Sequence, residues 1–394
     1  MPDAEVLAAK AKVVAVAQNA FGLKLLGDLA TEGQRHNVFV SPTSVFLALG
    51  MLESGAAGGT RTAIRQALEV PQAASETELR ESASALSQSL GQRGGVELRI
   101  ANALWSDQQI TLAPAFVELC KQYYNAEASS LDFADPGAAN AINAWVKQKT
   151  DGKIDEIVSP RAVASSKAIL TNAVYFKGKW QRPFDKQLTR DGAFHLAGGG
   201  QKTVPLMHQS GLRDAYRSGD GYEAAVLPYG PPASQAGFPS DIVLCAILPA
   251  GGKSPEEVLA KLSIADLLNK NEPIELDLAL PRFRLDFDAS LKEVLGRMGM
   301  GIAFVRGAAD FSPLGSRLFF TGDVIHKTRL EVDEEGTVAA AATAVLARRA
   351  MVMSPKREKK TLVFDRPFGL LLCDRRTGAA LFAGAMYDPE QAIR

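Results

Sequence analysis

The chain is predicted to fold as an α+β protein, and three observations point there. Up to about residue 160 its apolar residues recur mostly at helical spacing. After residue 165 come short runs bounded by glycine and proline, several alternating with period two. Helices come first and strands later, with no regular βα alternation, which implies mixed or antiparallel sheets.

The elements follow in order. "MPDAEVLAAKAKVVAVAQNAFGLKLLGDLATEG" is an amphipathic first helix. "SPTSVFLALGMLESGAAGG" is an apolar helix stopped by glycines, and "TRTAIRQALEV" begins another with Thr60 as its expected N-cap. "ETELRESASALSQSLGQ" reads as a helix with a polar face, "VELRIANALWSD" as a strand, and "AANAINAWVKQKTDGKI" as an amphipathic helix ending at glycine. "KAILTNAVYFKGKW", "YEAAVLPYG", "DIVLCAILPAG", "PIELDLALPRFRLDF" and "KKTLVFDRPFGLLLCD" supply strands, with one short helix in "SLKEVLGRMGM". No internal repeat interrupts the series.

Composition excludes several functions. The 394 residues carry 44 basic and 44 acidic side chains, and zero net charge argues against a general binder of nucleic acid or anionic membranes. No uninterrupted apolar run reaches the roughly 20 residues needed to span a bilayer. Charges at Asp3, Glu5, Lys10 and Lys12 are unlike a secretory signal, so the chain reads as cytosolic, or as secreted if a leader has been removed. Cys120, Cys245 and Cys373 are odd in number, far apart and set among apolar residues, which predicts buried free thiols. The four histidines form no metal-ligand pair, and neither metal nor cofactor is expected. The glycine-rich "ESGAAGGTR" lacks the ending of a phosphate loop, and GxSxG, HExxH and CxxC are all missing. An enzyme is not expected.

One segment resists assignment. From Gly336 to Ala347 the chain has no charge and few large side chains, and it then turns basic. Helix propensity favours a helix over Ala339–Ala342, capped by Thr337. A disordered linker usually brings proline, glycine and charge, which stand only at the edges here. The third reading is an exposed loop able to become a buried strand, since neither period-two face carries a charge before Arg348 and small residues enter a gap without overpacking. The segment by itself leaves all three open.

Its flanks decide. "IHKTRLEVDEEGTVAAAATAV" and "FDRPFGLLLCDRRTGAALFAGAMYDP" resemble the hinge and C-terminal signature of the serpins. "NVFVSPTSVFLALGMLESGAAGGTRTAI", "NALWSD", "LTNAVYFKGKWQRPFD", "VPLMHQSG" and "LPRFRLDF" resemble the family's other motifs in the same order. The resemblance spans nearly the whole chain. It implies a serpin fold: about nine helices around three β-sheets, in a single domain over residues 1–394 with an exposed reactive-centre loop at about 334–360.

The resemblance also assigns roles. Ser41, Ser44, Asn172 and His326 match the polar "shutter" beneath the central sheet, where short side chains can exchange hydrogen bonds as strands part. Trp180, Arg282 and Glu334 match the "breach" at the top of that sheet. Arginine stands at 282 where lysine is common, and a bidentate bond to Glu334 is expected. Glu334, Glu335, Gly336, Thr337, Val338, Ala339, Ala340, Ala341, Ala342 and Thr343 match the loop hinge, whose small side chains point to an inhibitor rather than a non-inhibitory chaperone or carrier.

The implied activity is suicide inhibition of a serine protease, or across classes of a cysteine protease. The protease is acylated by the loop and then trapped as the freed segment inserts into the central sheet. Twelve strand residues at about 3.3 Å each add roughly 40 Å of strand.

Counting seventeen residues from Glu334 places the cut at Ala350–Met351, which suits an elastase-like or subtilisin-like target. Arg348 and Arg349 offer a trypsin-like alternative, and Met353–Ser354 a third bond. In "PKREKK", Lys356, Arg357, Lys359 and Lys360 read as a solvated loop or as an accessory contact for the protease. The segment matching the family's heparin-binding helix, "ELRESASALSQSLGQR", is not basic, so heparin is not expected as a partner. The protein is expected to act as a monomer.

Overall fold

The computed structural model describes residues 4–31, 35–90, 96–231, 241–269, 272–315, 319–337 and 358–389. The reactive-bond candidates Arg348, Arg349, Ala350, Met351, Met353 and Ser354 lie outside them, as do the hinge positions Val338 to Thr343.

Ten α-helical segments occur among the described residues, against an expectation of about nine. They are α1 (Ala4–Thr31), α2 (Pro42–Ser54), α3 (Gly58–Ala67), α4 (Glu76–Leu90), α5 (Pro114–Tyr124), α6 (Ala138–Lys149), α7 (Pro160–Ala164), α8 (Pro255–Leu259), α9 (Ile264–Asn269) and α10 (Lys292–Leu295). Helix α2 shows why its sequence is so apolar: every residue from Pro42 to Ser54 is buried. Ser41 caps it by accepting from the Ser44 N–H, and Pro42 fits the first turn, where no N–H is needed. One expected cap is wrong. Helix α3 begins at Gly58, and the Thr60 hydroxyl inside its first turn instead accepts from the Asp310 N–H at 2.9 Å. By length and composition α1 passes for a membrane span, yet Leu7, Val14, Phe21 and Leu25 pack into the core.

Three sheets are formed. The first is wholly antiparallel, in the order β1 (Val38–Val40), β16 (Ala379–Met386), β15 (Phe368–Asp374), β9 (Ile242–Pro249), β8 (Tyr222–Pro228) and β7 (Tyr216–Gly219). Strands β9, β15 and β16 are buried throughout, which explains their unbroken apolar runs. The second sheet orders β14 (Glu358–Val363), β10 (Ile274–Pro281), β6 (Gln201–Arg213) and β5 (Arg190–His195).

The third, central sheet runs β11 (Phe283–Ser290), β12 (Asp323–Val332), β4 (Ala168–Lys179), β2 (Val96–Asp107) and β3 (Glu127–Leu131). A two-residue strand, β13 (Gly336–Thr337), pairs with β4 as well. The sheet separates two cores. Leu104, Leu170, Val174 and Phe176 face the main core with α1 and α2, while Ala101, Ala103, Ile169 and Ala173 face a smaller one under α6, with Ile142 and Val146. Both faces of β4 are therefore covered, as its unbroken burial from Ala168 to Phe176 records.

Candidate functional site: the seam between β4 and β12

Strands β4 and β12 run parallel, paired from Asp323↔Ile169 to Arg329↔Tyr175. The ladder stops there, although β4 continues to Lys179 and β12 to Val332. Beside the upper end of β4 lies β13, antiparallel, with Gly336 opposite Lys179 and Thr337 opposite Gly178.

The upper end is built around Trp180. Its indole N–H donates to the Asp333 carbonyl at 2.8 Å, and its backbone N–H donates to the Glu335 carbonyl at 2.9 Å. Tyr229 stacks on it with centroids 4.2 Å apart, and the Tyr229 hydroxyl bonds Thr337 Oγ1 at 2.9 Å. Burial pushes that phenol's pKa far up, so it stays protonated. Thr337 is wholly buried. A Cβ at Gly336 would come within 2.1 Å of the Gly178 carbonyl oxygen, and its φ is +145°, so only glycine fits.

Glu334 is almost fully buried beside this corner. Arg282 donates to its Oε1, as does the Thr189 hydroxyl at 2.6 Å. Burial pulls the Glu334 carboxyl upward, but the bonds from Arg282 and Thr189 outweigh it and leave the pKa below the usual carboxylate value. The expected pair is present, yet it is not bidentate: Arg282 Nε is buried with no partner. Thr189 shares the oxygen where a second fork contact was expected. Glu335 is held separately by Lys186.

Lower down, the predicted polar residues meet in a row across the sheet. Asn102 on β2, Asn172 on β4 and His326 on β12 are direct cross-strand partners. The Ser41 N–H donates to His326 Nε2 at 3.0 Å, so the ring proton sits on Nδ1, which faces Asn172 Oδ1. Asn172 Nδ2 in turn donates to Ser44 Oγ and Asn102 Oδ1, and the Ser41 hydroxyl donates to the Leu381 carbonyl at 2.7 Å. All five side chains are buried. Burial lowers the His326 pKa from its ordinary 6.5 to about 3, keeping the imidazole neutral. Asn102 was not foreseen. The signal was there, since "ANALWSD" alternates and Asn102 falls on the inward face with Leu104, but an asparagine in an apolar strand has no motif of its own.

The seam is also crossed on its outer face. The stretch after α6 accepts hydrogen bonds from Arg329 to the Lys153 carbonyl and from Lys327 to the Glu156 carbonyl, both at 2.9 Å. It reaches β2 through the Arg99–Asp151 pair at 3.2 Å. Beyond residues 338–357, β14 is tied down by Lys359–Glu275 at 3.0 Å and by Lys360, which bonds Glu223 and the Tyr216 hydroxyl. These two residues of the basic run therefore belong to a strand with partners, not to a solvated loop.

A sheet whose central pair is half closed, with a short antiparallel strand already lodged at its open end, is a distinctive arrangement. The profile described as "Serpin (serine protease inhibitor)" matches residues 16–389. The chain is a serpin. It is 36% identical to an uncharacterised serpin-like protein of Thermococcus kodakarensis, over 96% of this chain and 86% of the relative. To the leukocyte elastase inhibitor of Bos taurus it is 32% identical, over 95% and 99% of the two chains. Among solved structures it superposes on the thermophilic serpin tengpin in its native state with a TM-score of 0.83 at 26% identity, covering 95% of this serpin and 94% of tengpin. The α+β expectation and the three-sheet architecture hold.

Proposed function

We propose that this serpin is a suicide inhibitor of a serine protease, acting through insertion of its cleaved loop between β4 and β12. The observation that carries the reading is the lodged strand β13. Its register, extended one residue at a time, sets Ala339 opposite Phe176, Thr343 opposite Asn172 and Ala347 opposite Ala168. The uncharged run from Gly336 to Ala347 thus has the same twelve-residue length as β4, and the first charge, Arg348, falls beyond the strand's end. Alternate inserted residues would face the main core and the core under α6, so a charge on either face would be buried.

Each new ladder bond contributes about 0.5–1.5 kcal/mol, while ordering each residue costs about 1–2 kcal/mol. Backbone pairing therefore does not set the direction by itself. The proposal requires the uncut sheet to be strained and to relax when the seam is filled.

The cut is assigned to Ala350–Met351, with Arg349–Ala350 and Met353–Ser354 as the other candidates. An elastase-like enzyme is the leading target, in keeping with the name of the bovine relative. Incubation with elastase, subtilisin and trypsin tests the proposal. A complex that survives SDS supports it, and mass spectrometry of the released C-terminal fragment reads the bond. Clean cleavage with no complex for all three enzymes, or no cleavage within the loop, would count against it.

A further inference from the structure

Away from the seam, a pocket of about 190 Å³ opens where five separated stretches of chain meet. Arg35 enters it from the stretch between α1 and β1, Lys253 from the link between β9 and α8, and Arg366 from just before β15. No carboxylate lines it, although the chain as a whole has as many acidic as basic residues. Three cations gathered in one concavity repel one another and focus positive potential there, an arrangement suited to holding an anion.

The neighbouring acids fill that role only for Arg366, which pairs with Asp365. Both oxygens of Glu256 accept from the Tyr387 hydroxyl, at 2.7 and 2.9 Å. Glu257 is turned back onto the Ser254 N–H in a capping box at the start of α8. The Asp365 carboxylate pairs with one arm of the Arg366 fork at 3.2 Å, and the other arm donates to the neutral Pro249 carbonyl at 3.3 Å. Arg35 donates to the neutral Ala197 carbonyl, and Lys253 forms no salt bridge with any described residue. The Ser254 hydroxyl accepts from the Glu257 N–H at 3.3 Å and is in hydrogen-bonding contact with the Glu257 and Tyr387 side chains. Three prolines stiffen the wall.

We propose that this pocket binds a small oxyanion, a single phosphate or sulfate group, free or carried on a small molecule. Guanidinium forks suit the tetrahedral oxyanion, and the lysine adds a point charge. The volume lies below the roughly 300–1,000 Å³ of pockets for drug-sized ligands, so the site takes one such group and not an extended polyanion. The site needs neither loop nor seam and stands whether or not the inhibitory reading holds.

Calorimetric titration of the full chain with inorganic phosphate, inorganic sulfate and glucose 6-phosphate, each against chloride at equal ionic strength, tests it. One saturable site per chain is expected. Tighter binding of glucose 6-phosphate than of inorganic phosphate identifies the ester as the ligand, and the reverse order identifies the free ion. The exposed pair Arg35→Gln and Lys253→Gln should weaken binding by at least about tenfold while leaving the ligand-free melting temperature unchanged. Binding no stronger than chloride's, or an affinity unchanged in the double variant, overturns the proposal.

Discussion

Two strand pairs in this molecule are built in opposite ways. Between β9 and β15, six antiparallel pairs from Gly369↔Ile247 to Asp374↔Ile242 are apolar except at the last residue. Between β4 and β12, the pairing leaves Asp323, Lys327 and Arg329 half-buried, carries His326 against Asn172 in its middle and ends three residues short of the end of β12. Interlocked apolar side chains hold one arrangement, because any displacement opens a void. A row of short polar groups can trade one hydrogen-bond partner for another at nearly equal energy. On the proposed mechanism, the first pair is the fixed frame and the second is the joint.

The comparison is broken most severely at the entrance. Thr337→Arg forces a guanidinium into the buried site between Tyr229 and β4. An uncompensated buried charge costs several kcal/mol, enough to shift the partition from trapping toward turnover by about 100-fold or more. The check is the stoichiometry of inhibition against whichever protease forms the complex. Unaltered trapping would mean that the lodged strand β13 is not where insertion begins.

Next comes a matched pair of truncations. Leu371→Ala in β15 should lower stability by about 2–5 kcal/mol without altering how cleaved molecules divide between complex and product. Asn172→Ala, which strips partners from His326, Ser44 and Asn102, should cost about 1–3 kcal/mol and should change that division. Denaturant melts and complex yields on both variants separate frame from joint; equal changes in yield would erase the distinction.

The joint should also carry a pH signature. Between pH 6.5 and about 3 the unfolded chain binds a proton at His326 that the folded chain refuses. Its contribution is therefore complete above pH 6.5 and is lost as pH falls through that window, by up to about 1.4 kcal/mol per pH unit. His326→Gln should flatten the stability profile there by one proton. A slope equal to that of the unmodified protein would place the titration elsewhere.

The smallest effect is expected at the outer crossing. Arg329→Ala frees the Lys153 carbonyl from β12, at a cost of about 1 kcal/mol or less, and should speed complex formation by loosening the stretch that spans the seam.

How much of this was legible in the sequence follows from which forces act locally. Strands β2, β4, β9 and β15 could be read directly, because alternation or unbroken apolarity records which faces are buried. Helix α2 was legible for the same reason. The cap of α3 was misplaced because Thr60 bonds a residue 250 positions away, and no local pattern encodes that. Ser41, Ser44, Asn172 and His326 came from family resemblance alone. Their meeting depends on strand register, as does the presence of Asn102 among them. The single bond from Arg282 to Glu334, with Thr189 as the second donor, depends on side-chain placement that spacing does not specify.

One measurement bears most directly on the joint. The loop is cut by a protease between residues 346 and 354, and the melting temperature is recorded before and after. The account predicts a higher melting temperature once the chain is cut, because the freed segment fills the seam and the strained sheet relaxes. An unchanged or lower value would contradict it.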